Sequence, residues 1–218
     1  MGRAGMLEEI FTQLSSEHRR KLERIAVEVS LQKGRELFAP GEPSRGFYVV
    51  REGIVRVYGM SPQGKEITQE IADRGSAFAL ASPFAGAYHC FAEALTDCRL
   101  YLIKRQEFLD LVAGDLSFAT DWIRLLSQMV IHLRRRLVDL TLRTPKTRIA
   151  SYLLFLTDMQ NSNSITLPVP RKELAAFLGM THETFYRTAK ELATEGLVRF
   201  TGQTVDILDR DSLAETTE

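Results

Sequence analysis

The chain has 218 residues, enough for one or two domains that each have a hydrophobic core. Its 28 Lys and Arg residues balance 28 Asp and Glu residues, which excludes a protein that works through bulk charge but leaves a locally basic face open. Charged residues make up 26% and hydrophobic residues 44%, as in globular proteins, and two cysteines exclude a disulfide scaffold or a four-cysteine metal site within one chain.

The same features predict a cytoplasmic protein. Two cysteines in a chain of this length are typical of a reducing compartment. Residues 1–10 contain no apolar stretch, so we expect no secretory signal. The longest uncharged run, 75–92, contains Ser, Pro, His and Gly, and we predict no membrane span and no membrane partner.

The first 114 residues are predicted to form a β domain preceded by a short helix. Residues 6–23 have the spacing of an amphipathic helix. From 25 to 103, short apolar segments such as GFYVVREG and CRLYLI alternate with glycine turns about ten residues apart, which predicts an all-β sandwich or barrel.

A long helix over 115–142, with Asp115 as N-cap, carries a heptad repeat. We number the heptad so that Leu116 is position a, which makes Ala119 position d. The repeat predicts a coiled coil with a partner helix; a helix buried within one chain is the alternative. The predicted dimerisation residues are Leu116, Ile123, Leu126, Val130, Leu133, Leu137 and Leu140. The run Arg134–Arg136 is interpreted as a solvated face with interhelical pairing at the edges of that coil; an effector or phosphate contact is the alternative.

Residues 143–218 have the spacing of a winged helix-turn-helix domain. Pro145 ends the long helix and a new helix follows, then a loop with a short strand. Two short helices over 171–179 and 181–196 are joined by a turn in which Gly179 ends the first and Thr181 caps the second. The segment LVRF-TGQT-VDIL then predicts a hairpin wing.

The start of the second short helix is predicted to enter the DNA major groove. Glu183 can accept a hydrogen bond from cytosine N4, and Arg187, four residues later, can donate to guanine O6 and N7. An ion pair between the two on the helix surface is the alternative. Arg171 and Lys172 open the first short helix and are candidates for phosphate contacts or a solvated helix end. The remaining candidate DNA contacts are Thr181, His182, Thr184 and Tyr186.

The segment LPVPRKELAAFLGMTHETFYRTAKELATEGLV resembles the winged-helix signature of the CRP/FNR family of transcription regulators. The glycine-punctuated β segment resembles that family's cyclic-nucleotide-binding-like β-roll, and the long helix lies where its dimerisation helix belongs. The resemblance implies an α+β fold with an N-terminal antiparallel, jelly-roll-like β-roll, a long dimerisation helix over 115–142 and a C-terminal winged helix-turn-helix. It further implies a homodimer on a near-palindromic double-stranded DNA site, with RNA polymerase as a partner.

Carried over by position, Glu183 and Arg187 match the family's base-reading Glu and Arg. Two positions depart from the family pattern, because His182 stands where Arg or Val is common and Tyr186 stands where Ser or Gly is usual. We therefore expect the G·C pair of the site to be kept and the outer bases of the half-site to differ.

The effector is less well determined than the fold. Cyclic-nucleotide-binding members hold the ribose with Gly-Glu and the phosphate with Arg-Ser or Arg-Thr, where this chain has Ala79-Leu80 and Tyr88-His89. Without the arginine a buried phosphate has no charged partner, so cyclic AMP and cyclic GMP are disfavoured. The first cysteine is Cys90, which disfavours the family's N-terminal iron–sulfur cluster.

Haem, as in gas-sensing members, remains a candidate cofactor, because the segment GSAFALASPF is small and apolar. His89 or His132 would then have to replace the usual ligands. A small apolar ligand, redox control through Cys90 and Cys98, or no ligand at all remain open. The candidate effector residues at the junction of β-roll and long helix are Phe78, Leu80, Phe84, Tyr88, His89, Trp122, Met129 and Leu133.

The sequence contains no pattern typical of an enzyme. Its four histidines lack metal-ligand spacing, and there is no Gly-rich phosphate loop or nucleophile elbow. We therefore predict a DNA-binding regulator that is not an enzyme. A ligand-binding module whose winged helix contacts proteins is the alternative from another class.

Overall fold

A computed structural model describes residues 14–64 and 66–217. The chain divides into two compact units, Met1–Val130 and Ile131–Glu218. The division falls inside the long helix, and each unit is described separately below. In the described residues, every helix is either too short or too polar to cross a membrane.

In its described residues, the first unit contains a β-roll with three short helices and the first part of the long helix. Its elements are α1 (Ser16–Ile25), β1 (Ala26–Leu31), β2 (Glu36–Phe38), β3 (Gly46–Glu52), β4 (Val55–Met60), β5 (Glu66–Ala72), β6 (Ala77–Phe78), α2 (Ser82–Ala85), β7 (Phe91–Ala94), β8 (Cys98–Lys104), α3 (Arg105–Gly114) and the start of α4 (Leu116–Leu142). Within the predicted helix over 6–23, α1 begins at Ser16, with Ser15 as its N-cap. Residues 6–13 of that prediction lie outside the described residues.

Two four-stranded antiparallel sheets form the roll, with strand orders β1-β8-β3-β6 and β2-β7-β4-β5. The sheet that contains β3 and β8 has a core on both faces. Tyr48 and Leu100 pack toward the second sheet, whereas Phe47 and Ile103 pack against helices. Burial on both faces explains why the sequences of β3 and β8 are continuously apolar rather than alternating.

Helix α3 was not predicted, because the strand-like pattern continues to residue 103 and helical character was expected only from Asp115. The helix starts directly after β8, with no Gly or Pro between them, and its Phe108 is fully buried. Asp115 does cap the next helix as predicted, since its Oδ1 accepts a hydrogen bond from the Phe118 backbone N–H at 3.0 Å.

Along the first part of α4, one edge is buried and the a positions of the heptad repeat are exposed, whereas Leu126 at a d position is half-buried against the core. Phe118, Trp122 and Leu125 join the helix-facing core of the roll. Ile123 is 63% exposed. The alternative of a long helix buried within one chain therefore does not hold for this stretch.

The second unit contains the end of α4 and the winged helix. Its further elements are α5 (Pro145–Gln160), β9 (Ser164–Thr166), α6 (Arg171–Phe177), α7 (His182–Thr194), β10 (Val198–Thr201), β11 (Thr204–Ile207) and α8 (Arg210–Glu215). Pro145 is the first residue of α5, after the N-cap Thr144, so the predicted break is confirmed. The predicted hairpin wing is confirmed as β10 and β11, and β9 adds a third strand beside β11. Helix α8 was not predicted.

Candidate DNA interface

One face of helix α7 is buried, and the opposite face is exposed. Its buried side chains are Phe185, Thr188, Ala189 and Leu192, at the spacing of one helical stripe. The opposite face presents exposed side chains from the first three turns, namely His182, Glu183, Tyr186, Arg187 and Lys190. The predicted recognition residues therefore share one accessible surface.

The start of α7 is fixed by Thr181. Its hydroxyl oxygen accepts a hydrogen bond from the Thr184 backbone N–H at 3.1 Å, and the two hydroxyl oxygens lie 2.9 Å apart. Gly179, at φ +67°, provides the left-handed turn before it. A side chain there would meet Leu140 Cδ2 at 2.6 Å, so the turn favours glycine for both reasons.

Glu183 and Arg187 are both exposed, and neither has a hydrogen-bond or ion-pair partner among residues 14–64 and 66–217. The alternative interpretation, an ion pair between them on the helix surface, is therefore not what the structure shows. A carboxylate and a guanidinium without internal partners on one helix face suit hydrogen bonding to base edges.

Arg171, at the start of α6, is half-buried and contacts the wing and α7. Its guanidinium donates to the Gly202 carbonyl oxygen in the wing turn and lies 4.9 Å from the Phe200 ring centroid and 5.8 Å from that of Tyr186. Tyr186 in turn packs edge-on against His182, with centroids 4.6 Å apart. Arg171 thus ties the start of α6 to the wing and to α7.

Two lysines flank this arrangement. Lys172 is exposed at the start of α6, as the sequence predicted. Lys190 was not singled out from the sequence, although it lies one turn after Arg187 on the exposed face. Helical spacing alone could have found it. Both ammonium groups suit phosphate contacts.

The eight candidate effector residues do not come together in one cluster. Phe78 and Tyr88 lie in the core between the two sheets, whereas Leu80 and Trp122 lie in the core that faces the helices, with Met129 packed beside them. The other three are exposed: Phe84, His89 and Leu133. Leu133 belongs to the second unit.

The space between the sheets is filled by stacked aromatic rings. Phe38 and Tyr88 stack with centroids 3.8 Å apart, and Tyr48 stacks on Phe78 at 5.5 Å. The Tyr88 hydroxyl donates to the Gly46 carbonyl oxygen at 3.2 Å. Tyr88 aligns with the family's phosphate-binding arginine. Its ring occupies the roll interior and carries no positive charge. These residues do not fit a cyclic nucleotide.

Both cysteines lie in the same core. Burial raises the pKa of the Cys90 thiol and that of Cys98, so both stay protonated near neutral pH. His89 and His132, the candidate haem ligands, are both exposed and belong to different units. In the described part of the chain, no group of three or more His, Cys, Asp or Glu side chains is placed to hold a metal ion.

Comparison with known proteins places this geometry in a family. Residues 28–115 match the cyclic nucleotide-binding domain and residues 147–216 match the Crp-like helix-turn-helix domain. The chain is 30% identical over 196 residues to the transcriptional regulator SdrP of Thermus thermophilus, a match that covers 87% of this chain and 94% of SdrP. The chain belongs to the CRP/FNR family of transcription regulators.

Solved structures agree with this assignment. FixK2 from Bradyrhizobium japonicum superimposes with a TM-score of 0.79 at 25% identity, over 89% of this chain and 98% of FixK2. A CRP/FNR family transcriptional regulator from Thermus thermophilus gives a TM-score of 0.69 at 29% identity, over 88% of this chain and 98% of that one. The predicted fold class is confirmed, and these relatives are DNA-binding regulators rather than enzymes.

Proposed function

We propose that this CRP/FNR regulator acts in the cytoplasm as a homodimer that reads a near-palindromic DNA site through α7. The observation that carries the proposal is the exposed pair Glu183 and Arg187, which is free of partners in the described residues and sits next to the capped start of the helix. Glu183 accepts from a cytosine N4 and Arg187 donates to the paired guanine, so that one G·C pair is read from both bases.

The exposed seam of α4 supports the homodimer. Leu116 is 84% exposed, and Leu137 is 62% exposed in the second unit. A sustained a/d repeat of apolar residues is typical of a helix that pairs with another helix. Two copies place two recognition helices on half-sites about one helical turn apart.

The control of the regulator does not run through cyclic AMP or cyclic GMP in this proposal. Tyr88 and Phe38 fill the roll interior, and the arginine that would bind a phosphate is replaced by Tyr88. Contact with RNA polymerase follows from family membership alone and is part of the same proposal.

Selection from random-sequence DNA with the wild-type dimer tests the proposal. We expect a two-fold symmetric sequence logo with half-sites about 10 base pairs apart and a G·C pair at equivalent positions. Lys190→Ala is the control variant, since loss of a phosphate contact weakens binding to all sequences and leaves the logo unchanged. Failure to enrich any sequence would favour the alternative of a module that acts through protein contacts.

A further inference from the structure

The second unit contains a cleft that DNA recognition by α7 does not use. It has a volume of about 430 Å³ and lies between the end of α4, the helix α5 and the C-terminal end of α6. This size falls in the range of small-molecule sites. The lining residues used below are Arg135, Arg136, Asp139, Arg143, Arg148 and Phe155.

The cleft is strongly cationic. Four arginines line it against the single carboxylate of Asp139, which pairs with Arg143 at 3.1 Å. Arg135 is exposed, and the described part of the chain provides it with no hydrogen-bond or ion-pair partner. An excess of three positive charges suits a ligand with several negative charges better than a monocarboxylate.

Two of the four arginines, Arg136 and Arg148, are held in place by contacts within the unit. Arg136 lies 4.3 Å from the Phe177 ring centroid and donates to the Phe177 carbonyl oxygen at 3.0 Å. Arg148 donates to the Leu140 carbonyl oxygen at 3.2 Å, while its Nε is buried and has no hydrogen-bond partner within the described residues. Arg136 therefore departs from the expected solvated face, whereas Arg134 and Arg135 are exposed as expected.

Aromatic side chains complete the wall beside these charges. Phe155 is 54% exposed, and the Tyr152 ring lies 6.2 Å from it. An exposed ring next to guanidinium groups provides a stacking surface for a planar base.

Most of the cleft lies on a different face of α4 from the seam. In the heptad numbering above, Arg135 is at position f, Asp139 at c, and both Arg136 and Arg143 at g. Leu140, at position d, is the one seam residue that also lines the cleft. A second copy bound along a and d therefore leaves Arg135 accessible.

We propose that this cleft binds a nucleoside polyphosphate, with the phosphates on Arg135, Arg136 and Arg148 and the base against Phe155. The site is separate from the β-roll interior and from the recognition face of α7. The proposal does not depend on DNA binding, and its test is done without DNA.

Isothermal titration calorimetry of the full-length protein with ATP, GTP, CTP and UTP, each titrated separately, tests the site. Inorganic tripolyphosphate is titrated as the probe for phosphate alone. We expect one site per chain for at least one nucleotide, bound at least 10-fold more tightly than tripolyphosphate. No binding by any of the four nucleotides would overturn the proposal, as would equal affinity for tripolyphosphate.

Three variants locate the site. Arg135→Gln and Phe155→Leu should each weaken nucleotide binding at least 5-fold, and Phe155→Leu should leave tripolyphosphate binding unchanged. Arg134→Gln is the matched control, because the preceding arginine of the same helix does not line the cleft. An equal loss in Arg134→Gln would show diffuse attraction to a basic helix and overturn the proposal, as would full affinity in both cleft variants. Thermal unfolding of each variant separates loss of binding from loss of fold.

Discussion

Asp115 joins two helices of the first unit through one carboxylate. It caps α4 through the Phe118 backbone N–H and pairs with Lys21 of α1 at 2.7 Å. The hydrogen bond from Lys21, together with that of the cap, lowers the pKa of Asp115 to about 2 from a usual value near 3.8. The helix boundary at Asp115 could be predicted from the sequence because capping is local. The ion pair with Lys21, 94 residues earlier, could not.

The lowered pKa predicts an acid-sensitive contribution to stability. A group whose pKa is lower in the folded state stabilises the fold above its unfolded pKa and loses that effect as the pH falls toward the folded value. Asp115→Asn keeps a side chain that can cap the helix but removes the charge. We expect the melting temperature of wild type to exceed that of Asp115→Asn at about pH 6, and the gap to narrow below about pH 4.

Asp110→Asn is the control for this experiment, because Asp110 lies on α3 and its carboxylate accepts a hydrogen bond from Gln106 one turn earlier. Melting curves of the three proteins between about pH 6 and pH 3 provide the comparison. A gap for Asp115→Asn that stays constant over this range would contradict the assignment.

Tyr88 determines what the β-roll interior contains. Its hydroxyl accepts from the Arg45 backbone N–H at 3.1 Å and donates to the Gly46 carbonyl oxygen, and its ring stacks on Phe38. Tyr88→Phe should lower the free energy of unfolding by about 1–2 kcal/mol, because a backbone N–H loses its partner. Tyr88→Ala should cost about 3 kcal/mol or more, because it also leaves a cavity. Denaturant unfolding of both variants measures these differences.

The aromatic stack also predicts the response to cyclic nucleotides. Titration of wild-type protein with cyclic AMP or cyclic GMP should produce no binding heat, since Tyr88 and Phe38 occupy the interior and Tyr88 stands where the family has its phosphate-binding arginine. Ala79 aligns with the family's ribose site. Saturable binding that is lost when a bulky side chain replaces Ala79 would contradict this prediction, because it would show that the roll interior opens for a nucleotide.

The absence of the phosphate-binding arginine could be predicted from the sequence through the resemblance. The stack could not be predicted, because β3 and β8 are apolar on both faces and the pattern does not say which face points inward.

At the level of elements, the α4 seam exposes a row of apolar side chains that includes Leu116, Ile123 and Leu137. Leu137→Glu should shift the protein from dimer to monomer, because two carboxylates would then face each other at position a of the coil. Val138→Glu is the matched control: this neighbour is also apolar and 50% exposed but lies at position b. Sedimentation equilibrium of the two variants checks the prediction, and equal dissociation of both, or of neither, would contradict it.

Helices and strands that are marked by hydrophobic periodicity, a turn residue or a cap could be predicted from the sequence, and those without such marks could not. The helix-turn-helix and its wing follow from periodicity, Gly179 and the Thr181 cap. Helix α3 was missed because it begins immediately after β8 with no turn residue between them. The cleft was missed because periodicity does not reveal that Arg136 packs on Phe177, 41 residues later.

For the molecule as a whole, we place DNA recognition in the second unit. The first unit contains a β-roll whose interior is filled by its own apolar side chains. The recognition residues could be predicted as a set because they lie within seven positions of one helix. That Glu183 and Arg187 have no internal partner among the described residues could not be predicted, because the two have the spacing of a surface ion pair. The contacts of Arg171 with Gly202 and Phe200 could not be predicted, because both partners come from the wing.

The most direct test of DNA recognition by α7 changes one residue of the protein and one base pair of the DNA site. The affinity of wild-type protein and of Arg187→Ala is measured for the selected DNA site and for the same site with its G·C pair changed in both half-sites. We predict that wild type prefers the selected site by about 5- to 150-fold, corresponding to about 1–3 kcal/mol, and that Arg187→Ala does not distinguish the two sites. A preference of the same size in Arg187→Ala would contradict the assignment of α7 as the helix that reads the base.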